Sequence, residues 1–322
     1  MITEKMIPAF QKAEGGLFSS VEKADVGDAV VKLKERGVAL MSWADPFYPD
    51  PSMPPHVAEA MIESIRSGFA SHYTMPIGSG ELKAEIAEKL KKVNGLTVVP
   101  DRNIIITPGS DSGLFFAMLP FIHEGDEVMI VDPSYPNNFQ NTEIMGGVIV
   151  RIPVYAENGY QFNISDFEER LTKKTKMIVL TNPNNPTTTV YRREKLLELA
   201  DFAVKNDLVV VVDQAFEQPV FDGIEMVTIA ALPGMWERTV SVFSFSKGMG
   251  LSGLRVGYLV ADDPIMDKLY GAAVSVVGAT NTSAQVGAIA ALRDDSFMGK
   301  YFECFDRRRR IVYDSLHDIP GV

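Results

Sequence analysis

Between about residue 100 and residue 261 the chain alternates short β-branched runs with stretches of helical periodicity, and this alternation restricts the fold more than any other feature. The strand candidates are Asn103 to Thr107, Glu127 to Val131, Gly147 to Pro153, Lys176 to Thr181, Leu208 to Asp213, Thr239 to Phe245 and Val256 to Ala261. Several are nearly continuous in Val, Ile and Leu, the composition of strands covered on both faces. Helical patterns separate most of them, most clearly at Ser79 to Lys92 and Arg192 to Asn206. In Glu81-Leu82-Lys83-Ala84-Glu85-Ile86-Ala87-Glu88-Lys89-Leu90 apolar residues recur at helical spacing with charges between them. The pattern predicts an α/β fold: a mostly parallel seven-stranded sheet with helices on both faces.

The two ends read differently. Residues 1–48 are loop-rich and lead into a proline cluster (Pro46, Pro49, Pro51, Pro54, Pro55). They are expected to form an N-terminal arm and part of a small α+β domain, with residues 49–292 as the large domain. Ser296 to His317 predicts a long charged helix leading away from the sheet, the start of a C-terminal small-domain portion over residues 293–322. A Pro-Gly turn normally joins two elements. Ile319-Pro320-Gly321-Val322 therefore predicts that the small domain is incomplete at the C-terminus of the sequence.

Charge and residue counts remove several function classes. Thirty-one basic against 42 acidic residues give a net charge of −11. The one dense basic run, Arg307-Arg308-Arg309-Arg310, is too short to outweigh it, so nucleic acid is not an expected partner. Cys304 is the only cysteine, and the four histidines fall in no zinc-binding spacing, so no metal site is expected. No apolar run approaches the roughly 18 residues needed to cross a bilayer. The polar Met1-Ile2-Thr3-Glu4-Lys5 start lacks a signal-peptide pattern, and a cytoplasmic location is expected.

Open parallel sheets bind ligands at the carboxyl ends of their strands, so the residues following each strand carry the functional signal. After the first comes Thr107-Pro108-Gly109-Ser110-Asp111-Ser112-Gly113, a small polar turn opening a helix. Its free N–H groups suit a phosphate, although an ordinary βα turn has the same composition. The second strand ends in Asp132-Pro133-Ser134-Tyr135-Pro136, offering an aromatic ring that could equally serve packing. Asn182-Pro183-Asn184-Asn185-Pro186-Thr187 reads as a rigid loop displaying amide hydrogen-bond donors, or as a structural turn. Val209-Val210-Val211-Val212-Asp213 sets a carboxylate at the end of a very apolar strand, where it needs a partner or a cationic ligand unless it caps a helix.

The most informative stretch is Ser244-Phe245-Ser246-Lys247-Gly248-Met249-Gly250-Leu251-Ser252-Gly253-Leu254-Arg255. Lys247 comes after a buried-looking strand, surroundings in which a lysine can lose its proton and act as a Schiff-base amine. Ser244, Ser246 and Arg255 supply donors for a phosphate dianion. Gly248-Met249-Gly250-Leu251-Ser252-Gly253 also fits the G-x-G-x-x-G pattern of dinucleotide sites. The next residues, Leu254 to Ala261, read as a strand rather than a helix, and no acidic residue ends a second strand at the required distance. The dinucleotide reading is therefore rejected. A strand-end Asp, a Schiff-base Lys, an aromatic plate and a Ser/Arg/helix-start cup are together the requirements of pyridoxal 5′-phosphate.

On these motifs, in this order and spacing, the chain from about Ala44 onward resembles a fold-type I pyridoxal-phosphate enzyme of the class I/II aminotransferase family. The resemblance implies Lys247 as the Schiff-base lysine and Asp213 as partner of the pyridine nitrogen, the two catalytic residues. It implies Tyr135 stacked on the ring, Asn185 bonded to the ring hydroxyl oxygen O3′, and Ser110, Asp111, Ser244, Ser246 and Arg255 around the phosphate. Tyr73, in Tyr73-Thr74-Met75-Pro76-Ile77-Gly78, resembles the tyrosine that reaches the phosphate of the neighbouring subunit, implying a homodimer with shared active sites. Ala44 stands where a glycine commonly approaches the substrate and, with Asn185, is a candidate substrate contact. The implied activity moves an amino group from an amino acid to a 2-oxo acid by a ping-pong mechanism.

The sequence also departs from the family pattern. Phe216 replaces a tyrosine that would be a second donor to O3′, which is expected to raise the pKa of the lysine–cofactor linkage. Thr188 replaces a glycine. Asp111 occupies a position usually neutral, where its backbone N–H is expected to help and its carboxylate to repel phosphate. No residue matches the arginine that pairs with the substrate carboxylate. A lyase or decarboxylase using the same cofactor is the alternative enzyme; a cofactor-binding sensor without turnover is the alternative outside enzymes.

Overall fold

The computed structural model describes residues 2–11, 32, 33, 35–38, 45, 47, 53–75 and 77–320. Its centre is one seven-stranded sheet of order β1-β7-β6-β5-β4-β2-β3. The strands are β1 (Ile104–Thr107), β2 (Glu127–Asp132), β3 (Val148–Pro153), β4 (Thr175–Thr181), β5 (Val209–Asp213), β6 (Thr239–Ser244) and β7 (Gly257–Val260). Each lies within one residue of the run expected from the sequence. All neighbouring pairs are parallel except those of β7, which runs antiparallel to both β1 and β6. Composition does not reveal that reversal, because β7 is as apolar as its neighbours.

Burial explains the near-continuous apolar runs. In β4, Met177 and Val179 join one core cluster while Ile178 and Leu180 join another, and none of the four is exposed to solvent. Successive side chains leave opposite faces of a strand, so both faces of β4 must be covered. Helix Ser110–Met118 contributes Leu114, Phe116 and Met118 to one face, and helix Arg193–Lys205 contributes Leu196, Leu199 and Phe202 to the other. Under β1, β6 and β7 a third cluster joins Leu82 and Ile86 of helix Gly80–Lys89 to Ala284 and Ala288 of helix Thr282–Arg293.

The 80–89 helix carries on into a π-helical turn at Leu90–Asn94. Helix Phe297–Leu316 buries Met298 alone, in keeping with its charged sequence. Its aromatic side chains hold Phe47, whose ring centroid lies 4.4 Å from Tyr301 and 5.1 Å from Phe305.

With β7 reversed, the other six strands end on one edge. Thr107, Asp132, Thr181, Asp213 and Ser244 close their strands there, and the first residue of β7, Gly257, pairs with both Thr107 and Ser244. The fold therefore gathers the polar strand ends at the edge where such sheets bind ligands.

Candidate active site

Asp213 is the most buried charge of that edge. Its Oδ1 accepts a hydrogen bond from the Ala215 N–H at 3.0 Å. Burial pushes its carboxyl up to about 6; the Ala215 N–H opposes the rise, the Asp111 charge adds to it and the Lys247 charge opposes it. A carboxyl group so desolvated, with a single hydrogen-bond donor among the described residues, is a ready acceptor for a cation.

Lys247 sits in a tight turn after β6. The Ser246 N–H donates to Ser244 Oγ at 3.1 Å, and the Gly250 N–H donates to the Lys247 carbonyl at 3.1 Å. Its Nζ lies 5.3 Å from the centroid of the Phe216 ring. Burial lowers the pKa of its ammonium group; the Asp111 and Asp45 charges resist, Arg255 adds to the lowering, and Asp213 resists. An amine held this way is closer to its nucleophilic neutral form than a surface lysine.

Ser110, Gly109, Arg255 and Ser244 converge beside it. Helix Ser110–Met118 starts after Gly109, at φ 83°, without a side-chain cap on its free N–H groups. A Cβ on Gly109 would stand 2.5 Å from Arg255 Nη2, and one on Gly257, paired with Ser244, would stand 2.6 Å from the Ser110 backbone nitrogen. The two glycines thus let a guanidinium and a helix start share a space no side chain could enter. Arg255 is itself in the left-handed region at φ 53° and donates from Nη1 to the Ser252 carbonyl at 2.9 Å.

Asp111 departs from expectation in one respect: its carboxylate is engaged. Tyr135 Oη donates to Oδ1 at 2.8 Å, Asn137 Nδ2 donates to the same oxygen at 3.3 Å, and Oδ2 lies 3.7 Å from Arg255 Nη2. Burial, then the Asp111 charge, push the Tyr135 phenol well above its ordinary range.

The asparagine loop displays fewer amides than expected. Asn182 accepts from the Tyr191 N–H at 3.1 Å, and Asn184 donates to the Pro133 carbonyl at 3.0 Å and to Thr187 Oγ1 at 2.8 Å. Both are buried and hold the loop together. Asn185 is partly exposed, and its side chain makes no hydrogen bond among the described residues. Thr188 keeps the backbone its usual glycine would adopt, at φ 59°.

Tyr73 is 93% exposed, so it cannot belong to a buried site of its own chain. Ala44 lies outside the described residues. Its neighbour Asp45, which belongs to none of the motifs, accepts from Ser252 Oγ at 2.9 Å and acts on Lys247. Asn137 carries no motif either; its only signal is a polar side chain two positions after the aromatic plate. The G-x-G-x-x-G glycines serve the turn: a Cβ on Gly248 would meet the Gln218 carbonyl at 2.8 Å, and the motif runs into a short 3₁₀ turn instead of a long helix. No group of three or more His, Cys, Asp or Glu side chains is placed to hold a metal among the described residues, and no helix there is long and apolar enough to cross a membrane.

Residues 39–322 match the family described as aminotransferase class I and II, and the chain belongs to it. It is 34% identical over 274 residues to an aspartate aminotransferase of Pyrococcus abyssi, covering 84% of this chain and 70% of the relative. It is 33% identical to aromatic-amino-acid aminotransferase 2 of Thermococcus litoralis, with the same coverage. Among solved structures it superposes on an aromatic aminotransferase from Pyrococcus horikoshii with a TM-score of 0.80 at 32% identity, covering 84% of this chain and 74% of that one. For a single mutant of Thermus thermophilus aspartate aminotransferase the TM-score is 0.86 at 27% identity, covering 97% and 80%. The chain is thus an aminotransferase of fold type I, and pyridoxal 5′-phosphate is the cofactor of its family. The uncapped helix start at Ser110, packed close to Arg255 by Gly109 and Gly257, and the buried Asp213 carboxyl fit that group's phosphate and protonated ring nitrogen.

Proposed function

We propose that this aminotransferase takes the amino group of an amino acid and delivers it to a 2-oxo acid in two half-reactions, with Lys247 as the amine that carries the cofactor at rest. The observation that carries the reading is the placement of a desolvated lysine and a desolvated aspartate at adjacent strand ends of one sheet edge. When bound, pyridoxal phosphate supplies an aldehyde that condenses with amines and a ring that accepts the electron pair released at the substrate's α-carbon.

The chain's own residues do the rest. Asp213 holds the proton on the ring nitrogen and so keeps the ring electron-poor. Lys247 Nζ, kept close to its neutral form by burial, would take the substrate's α-proton and hold it for return, acting as general base and then general acid. Arg255, Ser110, Ser244, Ser246 and the Asp111 N–H would hold the phosphate, Tyr135 would lie against the ring and Asn185 would donate to O3′. Ala44 and Asn185 are assigned to the substrate side. Tyr73 serves the phosphate of a second subunit, so the working unit is a homodimer. The same reading groups residues 1–48 with residues 293–322 as small-domain parts around the large domain 49–292, supported by the Phe47 contacts with Tyr301 and Phe305.

Single amino acids added to the cofactor-loaded protein test the activity. Conversion of the bound cofactor's absorption band to a stable amine-form band, reversed by a 2-oxo acid, is the expected result. Irreversible bleaching with release of ammonia or carbon dioxide would instead assign a lyase or decarboxylase.

A further inference from the structure

Residues 72–75 and 77–79 combine two properties that ordinarily exclude each other. The side chains of Tyr73 and Met75 are 93% and 74% exposed. The backbone that carries them is nevertheless clamped on both sides. Gln285, on helix Thr282–Arg293 and 1% exposed, accepts from the Ser79 N–H at 2.8 Å through Oε1. Its Nε2 donates to Thr74 Oγ1 and to the Thr280 carbonyl, both at 2.8 Å. Thr282 Oγ1 donates to the His72 carbonyl at 2.7 Å. Across the segment, Gly78 at φ 103° presses on β1, where a Cβ would stand 2.1 Å from Ile106 Cγ1, and the Ile106 N–H donates to the Ile77 carbonyl at 2.9 Å.

Fixing backbone costs conformational entropy, and burial of large side chains ordinarily offsets it. Here Tyr73 and Met75 gain little burial within their own chain, so the ordering has its return where they meet another molecule. The clamp is also referenced to the site: Ile106 is followed by Thr107, the strand end that leads into Gly109 and Ser110.

We infer that Gln285 is a positioning residue, holding the backbone of Tyr73 through Thr74 and Ser79 so that its side chain reaches the phosphate held by a second copy of this chain. The inference rests on the assignment of Tyr73 given above. Its carboxamide gives its oxygen and one N–H to this segment and its other N–H to the Thr280 carbonyl just before its own helix, which fixes the orientation of the clamp.

The test is a double-mutant cycle read as the dissociation constant of pyridoxal phosphate, with inorganic phosphate binding to the cofactor-free protein as a second probe. Thr74→Val removes one hydrogen bond from the clamp and keeps the side-chain shape; it is expected to weaken cofactor binding about fivefold to tenfold. Thr74→Ser restores the hydroxyl and with it the affinity. In a Tyr73→Phe background Thr74→Val is expected to cost nothing further, because the group it positions is gone. Gln285→Met should show the same non-additivity, with its unfolding midpoint recorded alongside. Equal losses in both backgrounds, or no loss from Thr74→Val in the native background, overturn the inference. Unchanged affinity in Tyr73→Phe alone overturns the assignment of Tyr73 first, and the inference with it.

Discussion

Asp213 and Lys247 are each held against their solution behaviour, in opposite directions. Burial raises the Asp213 carboxyl from 3.8 to about 6, so in the cofactor-free protein the folded state binds its proton more tightly than the unfolded chain. The stability this contributes is complete below the unfolded value of 3.8 and is lost as pH rises through about 6. Urea denaturation of the cofactor-free protein between those limits should show the decline, and Asp213→Asn should abolish it. Asp111 faces Arg255 at 3.7 Å, in the place from which the guanidinium would meet phosphate. The pair is half-exposed, so its worth is limited to about 1 kcal/mol. Asp111→Asn keeps an acceptor for Tyr135 and removes the charge, and should tighten inorganic phosphate binding roughly fivefold. Phe216 lies against Lys247 without a hydroxyl. Phe216→Tyr should lower the midpoint of the bound cofactor's absorbance titration by about one pH unit, the order expected of a hydrogen bond to the charged form; unchanged midpoints would refute the role given to the missing donor. That Lys247, Asp213 and Arg255 lie beside the polar strand ends was legible in the sequence. The engaged carboxylate of Asp111 was not, because its partners Tyr135 and Arg255 are 24 and 144 positions away.

At the scale of elements, strand positions were legible to within a residue, because a strand covered on both faces must be apolar at nearly every position. What the pattern concealed was how elements grip one another behind the site. Lys89, at the end of the 80–89 helix, forms a buried ion pair with Glu217 in the segment after β5. Asn94, brought round by the π-helical turn, accepts from Lys89 Nζ at 2.9 Å and donates to Glu217 Oε2 at 2.8 Å and Thr228 Oγ1 at 2.9 Å. In sequence Lys89 reads as one more solvated lysine of an amphipathic helix. The contact fixes the Asp213–Glu217 turn, which includes the Ala215 donor and Phe216. Glu217→Ala leaves the ammonium buried without its counter-ion and should cost about 3–5 kcal/mol in chemical denaturation. Lys89→Met with Glu217→Met, which removes both charges, should recover most of it. The asparagine loop teaches the same lesson: its amides were visible, but only packing decided that Asn182 and Asn184 tie the loop while Asn185 stays partly exposed, with no side-chain hydrogen bond among the described residues.

For the whole molecule, Tyr73 and Lys247 cannot serve one site from one chain when Tyr73 is 93% exposed. Subunits bearing Lys247→Ala and subunits bearing Tyr73→Phe should therefore complement on mixing. In the proposed homodimer the hybrid would hold one site with both native residues, and cofactor affinity and turnover should rise above either parent; no gain would place Tyr73 outside the site. The sequence by itself determined the sheet, its strand boundaries and the identity of the strand-end residues, because burial on two faces and ligand binding at one edge both write local patterns. Tertiary structure alone decided the antiparallel course of β7, the Asp111–Tyr135–Arg255 cluster, the Lys89–Glu217 pair and the Gln285 clamp. Each of these depends on which distant segments meet, and the free energy of a hydrogen bond or ion pair depends on the burial and geometry of both partners, which no local pattern encodes.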